Sequence, residues 1–447
     1  MNFRNHPSIT KIAIPDTDNI KFSGNSLRYI FQSMANLKTR EIPYDNVTSL
    51  TWSHAYCYNL TSHPICGPNT VDFDAAYRDC RNITGVPVCS DKVTSMYYTY
   101  LNCSNLTGSP ACGPNTAHMV QTYDGCSNLT GAPVCSDKTV NLYRTYTNCS
   151  NLTGAPVCSD LVTTMVHTYD GCSNLTGSPV CGNNVTGMYR TYYNCYNITG
   201  SPVCGPNVTD MSFSYRGCYN LTGKPVCGDN VGDMSAAYYY CNGLTGSPVC
   251  GPNVTNLRTT YFACSNLTGD AACGNKVLNM DHAYAACSKL SGIAVCGSSV
   301  TTMYNAYCGC VNLSGNAYFY SNSVSNAARC FANKNNSKIL NIYVHSGSTT
   351  LDTCLKTDTT SLTGVAITWS ANATCYYNTS QNIYIYPVSN VYDAYDNNEN
   401  GHLEDFIYTD NGDGTYTIID WKGTYNGVPS TRCIIPKLSN IIVDIEN

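Results

Sequence analysis

Charge is scarce. Only 12% of the 447 residues are Asp, Glu, Lys or Arg, about half the ~25% of an ordinary globular protein. The 24 basic and 29 acidic residues leave a net charge of −5. So few basic groups make no footprint for a phosphate backbone, which argues against nucleic-acid partners. No stretch reaches the ~18–20 consecutive apolar residues of a membrane span. The opening residues, Met1 to Phe22, hold no apolar core of the ~7–15 residues that direct secretion. The expectation is a chain made and assembled in a cytoplasm. Tryptophan (3), phenylalanine (9) and histidine (8) are also few.

What is abundant is cysteine and tyrosine, 28 and 37 residues, and both are periodic. Cysteines recur every 23 residues from Cys57 to Cys310, and a second series recurs every 23 from Cys66 to Cys296. Three residues before each first-series cysteine from Cys80 onward stands a tyrosine, from Tyr77 to Tyr307. Seven before it stands Phe73, Met96, Met119, Leu142 or an equivalent, and ten before it usually Val, as at Val162 and Val185. These offsets line one face of a helix, so each repeat is read as carrying a short helix with a buried stripe. Leu or Ile follows three after the cysteine, then Thr-Gly, Pro, Val and the second cysteine, as in Leu152 to Cys158. That segment reads as a short strand with a turn.

A 23-residue unit cannot bury its stripe alone, whereas stacked copies bury a continuous core. The expected fold class is therefore an α+β repeat solenoid, with one short helix and one short strand per repeat. Residues 1–56 form an N-terminal segment and cysteine-free capping repeats, with Met34, Leu37, Ile42, Val47 and Leu50 in register and Phe31 in the tyrosine's place. The solenoid proper spans 57–315, and 316–337 is a decaying cap repeat. Alternating runs at Ile339–Val344, Val365–Trp369, Ile383–Pro387, Thr415–Trp421 and Ile441–Ile445 make 338–447 a small all-β C-terminal domain, with a hairpin signal at Asn411-Gly-Asp-Gly.

The motif running from Val208-Thr-Asp-Met211 through Tyr215 and Cys218 to Leu221-Thr222 resembles the BspA-type leucine-rich repeats. The resemblance covers roughly residues 20–330, with each unit about three residues shorter than is usual there. It implies a curved solenoid of the kind found in surface adhesins of bacteria and protists and in structural proteins of tailed bacteriophages.

Recurrent side chains invite chemical readings. Zinc would require cysteines two to four residues apart with histidine nearby, and the alternating gaps of 9 and 14 supply neither. Disulfides between neighbouring rungs or within a repeat are open, and the preferred reading is that cysteine stacks as a small apolar residue. The structural ladder then includes Cys80, Cys89, Cys103, Cys112, Tyr100, Tyr123, Tyr146, Asn105 and Asn128. Each such asparagine completes a glycosylation sequon, but a ladder bonding the turn backbone of adjacent rungs is preferred. Asp396, Asn398 and Asn400 partly match a Ca²⁺ loop, with Ile407 where the bidentate Glu belongs. An acidic surface turn is preferred, and no cofactor is expected. His54, His118, His345 and His402 occupy unrelated offsets, and His167 and His282 lie five repeats apart.

These readings converge on a non-enzymatic structural or binding protein. The resemblance implies a tailed-phage virion component, a fibre, tail or capsid-attached protein. Its partners would be other virion proteins or itself, and a host surface glycan or protein. A cell-surface adhesin is the alternative. A glycan-active enzyme using Glu404 or Asp405 ranks third. The β tail is the expected docking end.

Overall fold

The computed structural model describes residues 3–13, 23–334, 337–345, 348 and 382, together with the strand segments named below between 370 and 443. The chain divides into two compact units, Met1–Leu244 and Thr245–Asn447.

In the first unit each 23-residue repeat is one coil of a solenoid, and the expected helix is absent. Two kinds of hydrogen bond explain why. The amides of Met96, Tyr98, Tyr100 and Asn102 donate to His118, Val120, Thr122 and Asp124 of the next coil, at 2.7–2.9 Å. The intervening amides of Thr99, Leu101 and Cys103 close tight turns onto Met96, Tyr98 and Tyr100. Half the donors an α-helix would use internally are thus spent between coils. Tyr98 and Asn102 are left-handed, with φ of 58° and 60°, and the same two positions are left-handed in coil after coil. An isolated two-turn helix has an unfavourable nucleus, while a neighbouring copy offers a carbonyl to every second amide. The 3- and 4-residue spacings that suggested a helix are spacings of successive tight turns.

Side chains at those spacings fill the interior. Met96, Tyr100, Cys103 and Leu106 are fully buried, as are Met119, Tyr123, Cys126 and Leu129 one coil later. Parallel backbone bridges run Ser26–Ser49–Asp72–Ser95–His118 and onward to Asp233. The Thr-Gly pair has a steric cause. Gly177 has φ 82°, and a Cβ there would lie 2.9 Å from Ala155 Cβ of the preceding coil. At the N-terminal end β1 (Lys11–Ala13) pairs in parallel with β2 (Thr39–Glu41). Phe31, Met34, Leu37, Val47 and Leu50 are buried as expected of a cap, and Ile42 is half-buried.

Strands expected in every repeat appear only where proline is missing. In the first unit the leg before the second cysteine carries Pro87, Pro110, Pro133 and their equivalents, and it forms no strand. Proline has no N–H for a ladder. Ala271, Ala294 and Ala317 replace it in the second unit. There β3 (Ala271–Ala272), β4 (Ala294–Cys296) and β5 (Gly315–Phe319) form a parallel sheet.

The sheet continues beyond the repeats into the segment expected to form a small all-β C-terminal domain. β6 (Leu340–His345) pairs in parallel with β5, and β9 (Ile383–Val388) pairs in parallel with β6. β7 (Ser370–Ala371) and β8 (Tyr376–Asn378) complete the order β3-β4-β5-β6-β9-β8-β7. A smaller sheet joins β10 (Phe406–Asp410) and β11 (Tyr416–Trp421), antiparallel across the expected hairpin, to β14 (Ile441–Val443). β12 (Thr424–Tyr425) pairs with β13 (Val428–Pro429). The cap repeat at 316–337 includes a further coil advanced by one residue, since Met303 N–H reaches Asn326, 23 residues on, where earlier coils use a step of 22. Phe331 stacks on Tyr307 there, ring centroids 5.3 Å apart.

Candidate functional site

The recurrent interior residues bond the backbone of the coils, and the tyrosines reach the prolyl leg that forms no strand. Tyr100 Oη accepts from Val88 N–H at 3.1 Å and donates to Val88 C=O at 2.7 Å. Tyr123 donates to Ala111 C=O and Tyr146 to Val134 C=O, both at 2.5 Å. The rings stack at 5.5 and 5.6 Å along Tyr100–Tyr123–Tyr146, nearly parallel. Burial pushes each of these phenols well above the usual value.

The first-series cysteines are thiols that also donate. Cys80 Sγ reaches His54 C=O and Cys103 Sγ reaches Tyr77 C=O, both at 3.0 Å. Burial drives both far up from the usual thiol range. The second series is half-buried in the first unit. Burial raises Cys112 to about 11 and Cys89 to about 12, and Cys89 Sγ lies 3.7 Å from Met96 Sδ. Elevated, shielded thiols are poor nucleophiles and poor metal ligands. Cysteine is thus more than a small apolar residue: it supplies a second, weak donor to a carbonyl that already accepts a turn amide, as Tyr77 C=O does from Cys80 N–H at 3.0 Å.

A third ladder escaped the sequence reading. Thr99, Thr122, Thr145 and Thr168 donate to Phe73, Met96, Met119 and Leu142 C=O at 2.7–2.9 Å. A hydroxyl recurring four residues before the first-series cysteine was the available signal. The asparagines behave differently from expectation. Asn105 Nδ2 bonds Asn82 Oδ1 of the adjacent rung at 3.4 Å, side chain to side chain. Asn128 is exposed in the same register, and the amide chain resumes between Asn151 and Asn174.

His54 belongs to the tyrosine ladder, three residues before Cys57. It packs between Phe31 and Tyr77, at 5.0 and 5.1 Å. Nearby, buried Arg40 donates to Tyr44 Oη at 2.9 Å, Tyr77 Oη at 2.9 Å and His63 C=O at 3.0 Å, and contacts Ser62 Oγ. Burial, and then the Arg40 charge, hold His54 neutral. This buried group continues the ladder toward the N-terminus, where Phe31 stacks in turn on Phe3 at 6.0 Å.

The outward face of the first unit carries the accessible chemistry. Asp170 Oδ2 holds His167 Nδ1 at 2.8 Å and Arg190 Nε at 2.9 Å. Arg144 reaches Asp124 in the same way one coil pair earlier. Aromatic rings flank these charges, with Tyr189 5.1 Å from His167 and Arg190 3.8 Å above Tyr193. Farther toward the N-terminus Arg78 lies over Trp52, Tyr56 and Tyr98 at 5.3–5.6 Å and pairs with Asp79. No group of three His, Cys, Asp or Glu side chains converges among the described residues. Asp396, Asn398, Asn400, Glu404 and Asp405, and the run Val365–Trp369, lie outside the described residues. No helix among the described residues is long and apolar enough to cross a membrane.

No protein-family model matches the chain, and no curated protein matches it significantly. Two solved structures are similar. A leucine-rich repeat protein from Bacteroides ovatus is 14% identical over 69% of this chain and 86% of that one, with a TM-score of 0.49. A leucine rich cell surface protein from Faecalibacterium prausnitzii is 16% identical over 64% and 78%, with a TM-score of 0.39. Likenesses this distant carry no function across.

Proposed function

We propose that this chain is a non-enzymatic binding protein whose first unit presents the arginine–aromatic face of its coils to a partner. The observation that carries the reading is the division of labour within each coil. Recurrent Tyr, Cys and Thr are consumed by the backbone, while the outward positions hold planar rings and cations that no coil needs for folding. Half-exposed Tyr and Arg supply broad contact area with polar tips and lose little side-chain freedom on binding.

The finer reading is a virion component of a tailed bacteriophage, either a fibre, a tail protein or a capsid-attached protein. Thiols such as Cys80, Cys103 and Cys126, held as donors inside the core, favour folding in a reducing cytoplasm, where such particles assemble. Density-gradient fractionation of the native source tests this placement. Co-sedimentation with a particle at fixed copy number is expected. Recovery in an envelope fraction would replace the virion by the cell-surface adhesin.

A further inference from the structure

An internally repeated chain contains its own control. Every coil meets the same structural demands, so a departure confined to a few consecutive coils serves something other than the fold. Two residues before the first-series cysteine, Arg78, which pairs with Asp79, is followed by four coils that carry Leu101, Asp124, Thr147 and Asp170. The next three carry Tyr193, Arg216 and Tyr239. One residue after the cysteine, Tyr58 and Arg81 are followed by Ser104, Ser127, Ser150 and Ser173, and then by Tyr196 and Tyr219.

These substitutions meet in space. The Arg216 guanidinium lies 4.3 Å from the Tyr239 ring centroid, 5.6 Å from Tyr193 and 5.7 Å from Phe213. Tyr196 and Tyr219 stack at 5.3 Å and 17°, and they are 38% and 45% exposed. Arg78, Arg144 and Arg190 on the same face each reach an aspartate. Among the described residues no carboxylate lies within ion-pair distance of Arg216. Its cation lies over rings and is partly open to solvent.

We propose that Arg216, seated between Tyr193 and Tyr239, binds the carboxylate of an acidic sugar whose ring lies on the adjacent Tyr196–Tyr219 pair. The chemistry is complementary at both ends. A planar guanidinium recognises a carboxylate through two parallel N–H donors. A tyrosine face accepts the apolar C–H face of a pyranose, and the stacked rings keep the guanidinium oriented before the ligand arrives. A neutral sugar would find the stacking surface and leave the cation without an anion. The inference rests on the reading of the chain as a binding protein and names the ligand class of that face.

The test is calorimetric titration of the full chain with 3′-sialyllactose against lactose, and with oligogalacturonate against its methyl ester. At least one acidic probe is expected to bind tenfold or more tightly than its neutral partner. Arg216→Met should abolish that preference with an unchanged thermal melt, Arg216→Lys should retain part of it, and Arg258→Met should retain all of it. Equal binding of acidic and neutral probes, no binding of either, or a preference that survives Arg216→Met would overturn the assignment. Equal capture of polyglutamate would overturn the sugar in favour of an acidic peptide. Particle association is scored separately. A chain that stays on particles yet ignores acidic sugars loses only the Arg216 assignment, whereas sugar binding without particle association loses only the virion placement.

Discussion

Tyr169→Phe removes one oxygen from the middle of the ladder and nothing else. In the native coil that hydroxyl accepts from Val157 N–H at 2.9 Å and donates to Val157 C=O at 2.8 Å. The ring stacks between Tyr146 and Tyr192 at 5.6 and 5.5 Å, and phenylalanine keeps both stacks. The loss is therefore two hydrogen bonds and two stranded backbone groups. An unsatisfied buried group costs about 1–3 kcal/mol. Val157 is only half-buried, so water reaches part of the site and the expected destabilisation is about 2–3 kcal/mol. The control is Tyr143→Phe, at a tyrosine 36% exposed on the outer face, where about 0.5 kcal/mol or less is expected. Urea unfolding followed by circular dichroism measures the difference, and amide exchange at Val157 localises it. Equal unfolding midpoints for the two variants, or unchanged exchange at Val157, would show that the tyrosines merely fill space.

The thiols make stability sensitive to alkali. Burial raises Cys112 to about 11 and Cys89 and Cys135 to about 12, whereas an unfolded thiol ionises near ~8.5. As pH rises the unfolded chain therefore loses protons first. The stabilisation is fully present below about 8.5 and declines toward 11–12, so urea midpoints under reductant should fall steadily from about pH 8.5 to about 10; a flat profile would refute this. Ala294→Pro, which removes an N–H from β4 between β3 and β5, should destabilise by about 2–3 kcal/mol. Pro179→Ala, in a leg without a strand, should cost about 1 kcal/mol or less, and comparable losses for the two would remove proline as the reason the sheet starts at Ala271.

The period, the buried stripe and the cap were legible in the residues because a stacked repeat writes its contacts into the chain at one interval. Tyr100 meets Tyr123 for the same reason that they stand 23 apart. Even His54 could have been placed, since it holds the tyrosine's position before Cys57. The local conformation was not legible. Offsets of three and four residues suit a helix and a succession of tight turns equally, and the choice fell to carbonyls 22 residues away that accept every second amide. The roles of the thiols and hydroxyls were hidden likewise, because their partners are backbone groups 26 residues earlier or 12 residues earlier. Arg216 shows the same limit. Its number in the chain says only that a cation replaces a polar residue. That it lies over two tyrosine rings, with no carboxylate at ion-pair distance among the described residues, is a property of the stacked coils.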